Sequence, residues 1–258
     1  MTFELKELVI GYPTRKVAGP MTVSLQSGEL CCLLGANGAG KSTLLRTLAA
    51  FQSPLSGEIL LDGRSISDIS PRELSTMIGI VLTERIRMAG ITVRDMVAMG
   101  RSPYTNFWGS LTQEDNRQVD EAMRLVGISD FADRQISTLS DGERQKVMIA
   151  KALAQGTPII LLDEPTAFLD FPSKVETMLL LSRLAHEMQK TIFLSTHDLD
   201  LALQTSDRLL LMAKGKGLKA KDSSYVVGTP RELADQISFY FPSPHLTFDP
   251  STLRFNIQ

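Results

Sequence analysis

Residues 29–42 read ELCCLLGANGAGKS. An apolar run as unbroken as 30–34 fits a strand buried on both faces, the kind found in parallel sheets covered by helices. Residues 41–50 contain no glycine or proline and read as a helix. Between them Gly35, Ala36, Asn37, Gly38, Ala39, Gly40, Lys41 and Ser42 satisfy G-x-x-x-x-G-K-[ST] in full. Strand, glycine loop, Lys-Ser and helix together constrain both fold and chemistry. Glycines let backbone N–H groups curl around phosphate oxygens, and the helix N-terminus adds partial positive charge. Lys41 is expected to reach the β- and γ-phosphates of a nucleotide, and the Ser42 hydroxyl to hold Mg²⁺.

A second pattern completes a phosphate-transfer site. Residues 159–162, Ile-Ile-Leu-Leu, read as another buried strand and end in Asp163-Glu164. A strand that merely ends in polar residues explains one acid better than two. Beside phosphates the roles separate: Asp163 orients Mg²⁺ through its water shell, and Glu164 polarises the attacking water. Residues 192–195 form a further apolar strand, with a helical pattern of Val175, Met178, Leu179 and Leu184 in between. This β-α-β unit implies parallel neighbours. His197, just past the strand, is then expected to open on the same crevice and to meet the γ-phosphate.

The stretch Leu139-Ser140-Asp141-Gly142-Glu143-Arg144-Gln145 opens a helix running to about Ala154. Ser140 and Glu143 have the spacing of a capping box, and the same helix start can hold an anion. The residues alone leave both readings open. Helices are also expected from Pro71, from Thr112 (apolar face Val119, Ala122, Met123, Val126) and from Pro230. Short β-like stretches hold Leu5, Val9 and Ile10, then Val23 and Leu25, then 58–61, an antiparallel pattern. Residues 208–213 and 224–227 flank a basic link, KGKGLKAKD, read as a solvated hairpin, and the tail from Pro242 has no assigned element.

Bulk properties narrow the classes. With 27 Lys+Arg against 29 Asp+Glu the net charge is −2, so no basic field argues for nucleic-acid binding. Cys31 and Cys32, the only 2 cysteines, are adjacent and point to opposite faces of one strand, which fits small core residues better than a disulfide or a zinc site. The N-terminal stretch lacks the basic start and apolar region of a signal peptide, and no apolar run is long enough to span a bilayer.

Taken together these motifs resemble the ATP-binding subunits of ABC transporters over residues 3–235. GANGAGKS is similar to the Walker A loop, IILLDE to Walker B, and LSDGE to the LSGGQ signature, with Asp141 and Glu143 departing from its commonest form. Ala167-Phe168-Leu169-Asp170 resembles the D-loop, His197 the switch histidine, and Tyr12 the aromatic that stacks on adenine. The resemblance implies an α/β fold: a P-loop NTPase (RecA-like) core with a mainly parallel sheet, an N-terminal antiparallel β-subdomain and an inserted α-helical subdomain. It implies a core of 1–83 and 155–235, a helical subdomain of 84–154 and a tail of 236–258. It further implies that ATP and Mg²⁺ bind at Tyr12, residues 35–43 including Thr43, Asp163 and Asp170. Two copies would close head to tail, each ATP lying between the P-loop of one and Ser140, Asp141, Gly142 and Glu143 of the other. Thr83 stands where the family carries a glutamine that touches Mg²⁺ or the attacking water, at the hinge into the helical subdomain.

A narrower similarity, residues 91–127, is to ATPases of importers for iron chelates, haem and cobalamin. It implies a polytopic permease dimer, a substrate-binding protein acting through that permease, and residence at the cytoplasmic face of the inner membrane. Tyr104, Phe107 and Trp108 could face the permease or pack the helical subdomain. An ATPase acting on nucleic acid or ribosomes would carry a coiled-coil or zinc insertion, or two fused cassettes, and none is legible. Only the 91–127 similarity separates an importer from an exporter.

Overall fold

The structure is a computed structural model that describes residues 1–82, 90–106, 108–213, 225–241 and 245–257. The amino-terminal third holds β1 (Thr2–Tyr12), β2 (Arg15–Gln26), β3 (Leu30–Gly35), α1 (Lys41–Leu48), β4 (Ser56–Leu61), β5 (Arg64–Ser65), α2 (Pro71–Met77) and β6 (Ile78–Val81). Next come α3 (Val93–Ala98), α4 (Gln113–Leu125) and α5 (Asp141–Ala154). The remainder is β7 (Ile159–Asp163), α6 (Phe171–Met188), β8 (Thr191–Ser195), α7 (Leu199–Thr205), β9 (Arg208–Met212), β10 (Tyr225–Gly228), α8 (Ala234–Tyr240), β11 (Leu246–Asp249) and β12 (Arg254–Ile257).

Two sheets organise these elements. The first, β2-β1-β4-β5, is antiparallel. The second runs β10-β9-β3-β8-β7-β6; its five central and edge strands from β9 to β6 are parallel, and β10 closes the other edge antiparallel to β9. The unbroken apolar runs of β3, β7 and β8 are explained by burial on both faces. One face of the parallel sheet meets α1 and the antiparallel sheet, with Leu44, Leu45 and Leu48 packed against Leu5, Ile10 and Leu161. The other face supports α3 to α8. Cys31 belongs to the first cluster and Cys32 to the second, as side chains alternating along a strand require. Both thiols are fully buried, and burial pushes that of Cys32 up to about 12, so neither has the thiolate that disulfide or metal chemistry needs.

Capping chemistry set the helix starts that the sequence announces. Ser70 caps α2 with proline in its first turn, and Thr112 and Ser140 form full capping boxes with Asp115 and Glu143. A third box, Thr92 with Asp95, opens α3, a helix not anticipated as such. The expected start at Pro230 differs in detail. Thr229 and Glu232 exchange the bonds of a capping box, yet the turn they close is not α-helical and α8 begins at Ala234. The tail carries the β11–β12 hairpin, whose Phe248 packs into the larger core cluster beside Tyr240 and Leu233. Apolar residues spread among prolines and serines left that pairing illegible. The basic link expected as a hairpin lies outside the described residues, as do Thr83 and Phe107. Among the described residues, no helix is long and apolar enough to cross a membrane.

The α3–α5 region holds a buried ion pair. Arg101 Nε donates to Asp115 Oδ1 at 2.9 Å, with the two side chains 9% and 5% exposed. Arg101 Nη1 donates to the Ala154 carbonyl at 2.7 Å and its guanidinium lies 3.9 Å from the Tyr104 ring centroid. Tyr104 thus contacts Arg101 while remaining 41% exposed, and Trp108 is 84% exposed. Removing one member of a buried pair strands the other charge. Arg101→Met is expected to destabilise the protein by about 3 kcal/mol, read as a lower urea midpoint; an unchanged midpoint would show that the pair contributes nothing.

Candidate functional site

The site is assembled at the carboxyl ends of β3, β7 and β8. Register brings them level: Ser195 lies opposite Leu33 on one side and Asp163 on the other. Residues 36–40 leave β3 as the glycine loop and feed α1. Two glycines are obligatory there. A Cβ on Gly35 would lie 2.5 Å from the Met212 carbonyl oxygen of β9. Gly40 has φ +105°, and a Cβ would come 2.4 Å from Val17.

Lys41, the first residue of α1, is only 7% exposed, and its Nζ donates to the Gly35 carbonyl at 2.8 Å. Burial pushes its pKa below the ordinary lysine value, while the carboxylates of Glu164 and then Asp163 pull it back up. Ser42 Oγ lies 3.4 Å from Asp163 Oδ1. The fully buried Ser195 joins the two acids: its Oγ donates to Asp163 Oδ1 at 2.7 Å and accepts from the Glu164 backbone N–H at 2.9 Å. Glu164 has a left-handed backbone, φ 49°, and its Oε1 lies 2.6 Å from His197 Nε2.

These groups border a cleft of about 680 Å³ lined by residues 37–43, Glu164, and Tyr12, Arg15, Lys16 and Val17 of the β1–β2 hairpin. Tyr12 is half exposed and borders the cleft. The expected residues therefore converge, with Gly35, Ala36, Asp163 and His197 outside the lining, in the adjoining loops and strand ends. Arg15 and Lys16 were not anticipated; two cations in a hairpin turn carry no motif, and only the fold brings them to the glycine loop. Ser195, Thr166, Asp198 and Lys174 were missed for the same reason.

Oxygen donors suit Mg²⁺. The Ser42 hydroxyl and Asp163 carboxylate fit that ion, with phosphate and water completing its shell. Among the described residues no group of three or more His, Cys, Asp or Glu is placed to hold a metal ion.

Ser140, Asp141, Gly142 and Glu143 do not line the cleft. They form the N-terminus of α5, where Ser140 N–H donates to Glu143 Oε2 at 2.8 Å and Glu143 N–H donates to Ser140 Oγ at 3.2 Å. Arg134 pairs with Glu143 at 2.9 Å and Arg144 with Asp141 at 2.8 Å. The Ser140 amide above all, then the Ser140 hydroxyl and Arg134, hold the Glu143 carboxyl below the usual range. Asp170 caps α6 by accepting from the Ser173 N–H at 3.1 Å. The Ser173 side chain and then its amide lower the Asp170 pKa.

Residues 19–167 match the family described as ABC transporter. The ferric enterobactin transport ATP-binding protein of Escherichia coli is 38% identical over 82% of this chain and 78% of its own length. The iron(3+)-hydroxamate import ATP-binding protein of Bacillus subtilis is 36% identical over 83% and 80%. A bacterial ABC transporter cassette solved as a dimer superposes with a TM-score of 0.69 at 27% identity, covering 82% of this chain and 94% of that one. The glycine loop, the paired acids and the match over more than half the chain lead to one conclusion: this chain belongs to the ABC transporter family and is an ATP-binding, ATP-hydrolysing subunit of it.

Proposed function

We propose that this chain powers uptake of an iron-siderophore, haem or cobalamin-type chelate through a separate membrane permease. The observation that carries the enzymatic part is the contact of His197 with Glu164 beside the Lys41 loop. The importer part is supported by relatives named for ferric enterobactin transport and iron(3+)-hydroxamate import.

In this reading adenine stacks on Tyr12, and the phosphates settle on the backbone N–H groups of residues 36–43. Lys41, already desolvated, exchanges its bond to the Gly35 carbonyl for bonds to the β- and γ-phosphates. Ser42 and Asp163 hold Mg²⁺, which neutralises phosphate charge when bound. Glu164 orients and deprotonates the attacking water, and His197 both fixes the Glu164 carboxylate and reaches toward the γ-phosphate. Arg15 and Lys16 add positive charge at the cleft mouth.

Two copies close head to tail, and the N-terminus of α5, residues 140–143, completes the ATP site of the opposite copy. Asp170 stands at that junction as the cap of α6. Residues 1–83 with 155–235 act as the ATP-binding core and 84–154 as the helical arm, with 236–258 as a C-terminal element. Thr83 replaces the usual glutamine between them, its hydroxyl binding Mg²⁺ or a water. The pair of subunits sits peripherally at the cytoplasmic face of the cell membrane, bound to a permease dimer that a substrate-binding protein feeds. A net charge of −2 provides no basic field that would favour nucleic acid as a partner.

Three experiments test these assignments. Glu164→Gln is expected to keep ATP binding and favour the closed dimer while losing roughly 10²–10⁴-fold in turnover; turnover at the wild-type level would remove Glu164 from the base role. Lys41→Ala is expected to lose ATP affinity by calorimetry, and unchanged binding would contradict its phosphate role. The tagged chain is expected to co-purify with a polytopic permease from detergent extracts; recovery with ribosomes would favour a nucleic-acid role instead.

A further inference from the structure

The loop that carries His197 is tied down by a residue outside the Walker and signature motifs. Lys174, in the first turn of α6, donates from Nζ to Asp198 Oδ1 at 2.9 Å, and each side chain is 27% exposed. The other oxygen of Asp198 accepts from Thr166 Oγ1 at 2.8 Å. The Asp198 N–H donates to Thr196 Oγ1 at 3.0 Å, and Thr166 and Thr196 are both buried, 3.4 Å apart. Thr166 lies two residues beyond Glu164, while Thr196 and Asp198 flank His197.

Asp198 is thus the junction of three chain segments: the loop after β7, the loop after β8, and the start of α6. On the other side of the junction His197 Nε2 and Glu164 Oε1 meet at 2.6 Å. Lys174 sits on a helix that approaches α5. A Cβ on Gly142 of α5 would come 3.2 Å from Ser173 Oγ, and Lys146 of α5 pairs with Glu176 at 3.0 Å. The ammonium therefore approaches Asp198 from a helix that also meets α5.

We propose that Lys174 is a positioning residue for ATP hydrolysis, holding Asp198 so that the His197 loop keeps its contact with Glu164. This rests on the reading of Glu164 as the base. Without the ion pair Asp198 retains Thr166, but the α6 side of the junction is open and one carboxylate charge is left unbalanced. Both side chains remain 27% exposed, so the pair's worth is geometric rather than electrostatic. Catalysis is far more sensitive to such geometry than folding is, because a small misplacement of a reacting group is felt directly in the barrier.

The test is steady-state hydrolysis and calorimetric ATP binding on the purified full chain, for Lys174→Met, Lys174→Arg, Asp198→Asn and the Lys174→Met/Asp198→Asn pair, beside Glu164→Gln. Lys174→Met is expected to lower kcat roughly tenfold, part of the ~100-fold that a 1 Å misplacement costs, with ATP affinity and thermal midpoint unchanged. Lys174→Arg is expected to restore turnover, and the double variant to be no slower than Asp198→Asn alone. Wild-type turnover in Lys174→Met overturns the proposal. So does a loss that follows affinity or thermal stability and is not restored by arginine, or a double variant slower than Asp198→Asn. Full activity in Glu164→Gln would instead overturn the underlying base assignment, which the lysine variants leave untouched.

Discussion

The Lys41 ammonium is the constraint around which the site is built. It is the first residue of a helix held between two sheets, so its backbone has nowhere to move. Its charge is removed from water and leans on a single carbonyl, with Glu164 and Asp163 near enough to draw its pKa upward against burial. A cation buried with incomplete partners is costly unless an anion completes it. Unit charges 4 Å apart attract by about 4 kcal/mol at an effective dielectric of 20. The cleft is therefore matched to a ligand that supplies anionic oxygen at the loop.

Glu164 depends on that arrangement from the other side. A glutamate at φ 49° is strained by about 1–3 kcal/mol. Ser195 offsets part of this by accepting the Glu164 N–H, and it also donates to Asp163, so a single buried hydroxyl fixes both acids. The left-handed turn separates them. Asp163 stays on the strand facing Ser42, and Glu164 swings toward His197 and the cleft. Two adjacent acids thereby acquire different neighbours, the condition for different chemical roles.

Much of this was legible in the sequence because the evidence was local. A glycine loop between an apolar strand and a helix, capping pairs three residues apart, and acids at a strand end all carry their physics within about ten residues. The strand partners were legible only as a class; the order β9-β3-β8-β7-β6 comes from tertiary packing. Ser195 read as the last residue of a strand, and its role emerges only from a register that puts it opposite Asp163. Lys174 and Asp198 are separated by 24 residues in the chain, and Arg15 and Lys16 reach the glycine loop only after β1 and β2 pair. The C-terminal hairpin failed to show because its strands are short and its apolar residues, Phe248 and Phe255, lie in a segment of turn-forming composition. Tyr104 was open between two surfaces; its ring meets Arg101 while staying 41% exposed, so both remain open.

The departures at Asp141 and Glu143 can be weighed on the same terms. In the proposed closed dimer this helix start would meet a phosphate, and two carboxylates there would oppose it. Each, however, has an arginine: Arg144 for Asp141 and Arg134 for Glu143. The four charges sum to zero, leaving the field of the α5 N-terminus in place. Glu143 is also turned back on the Ser140 amide, so its charge is spent on the cap and points away from the open end. Gly142 needs no side chain there, since any Cβ would crowd Ser173. What remains at the tip is the Ser140 hydroxyl, the Gly142 backbone and the uncapped amides, which are the groups an anion needs. Charge balance by neighbouring arginines, rather than identity with the commonest signature, is what would let this helix start serve the proposed phosphate role.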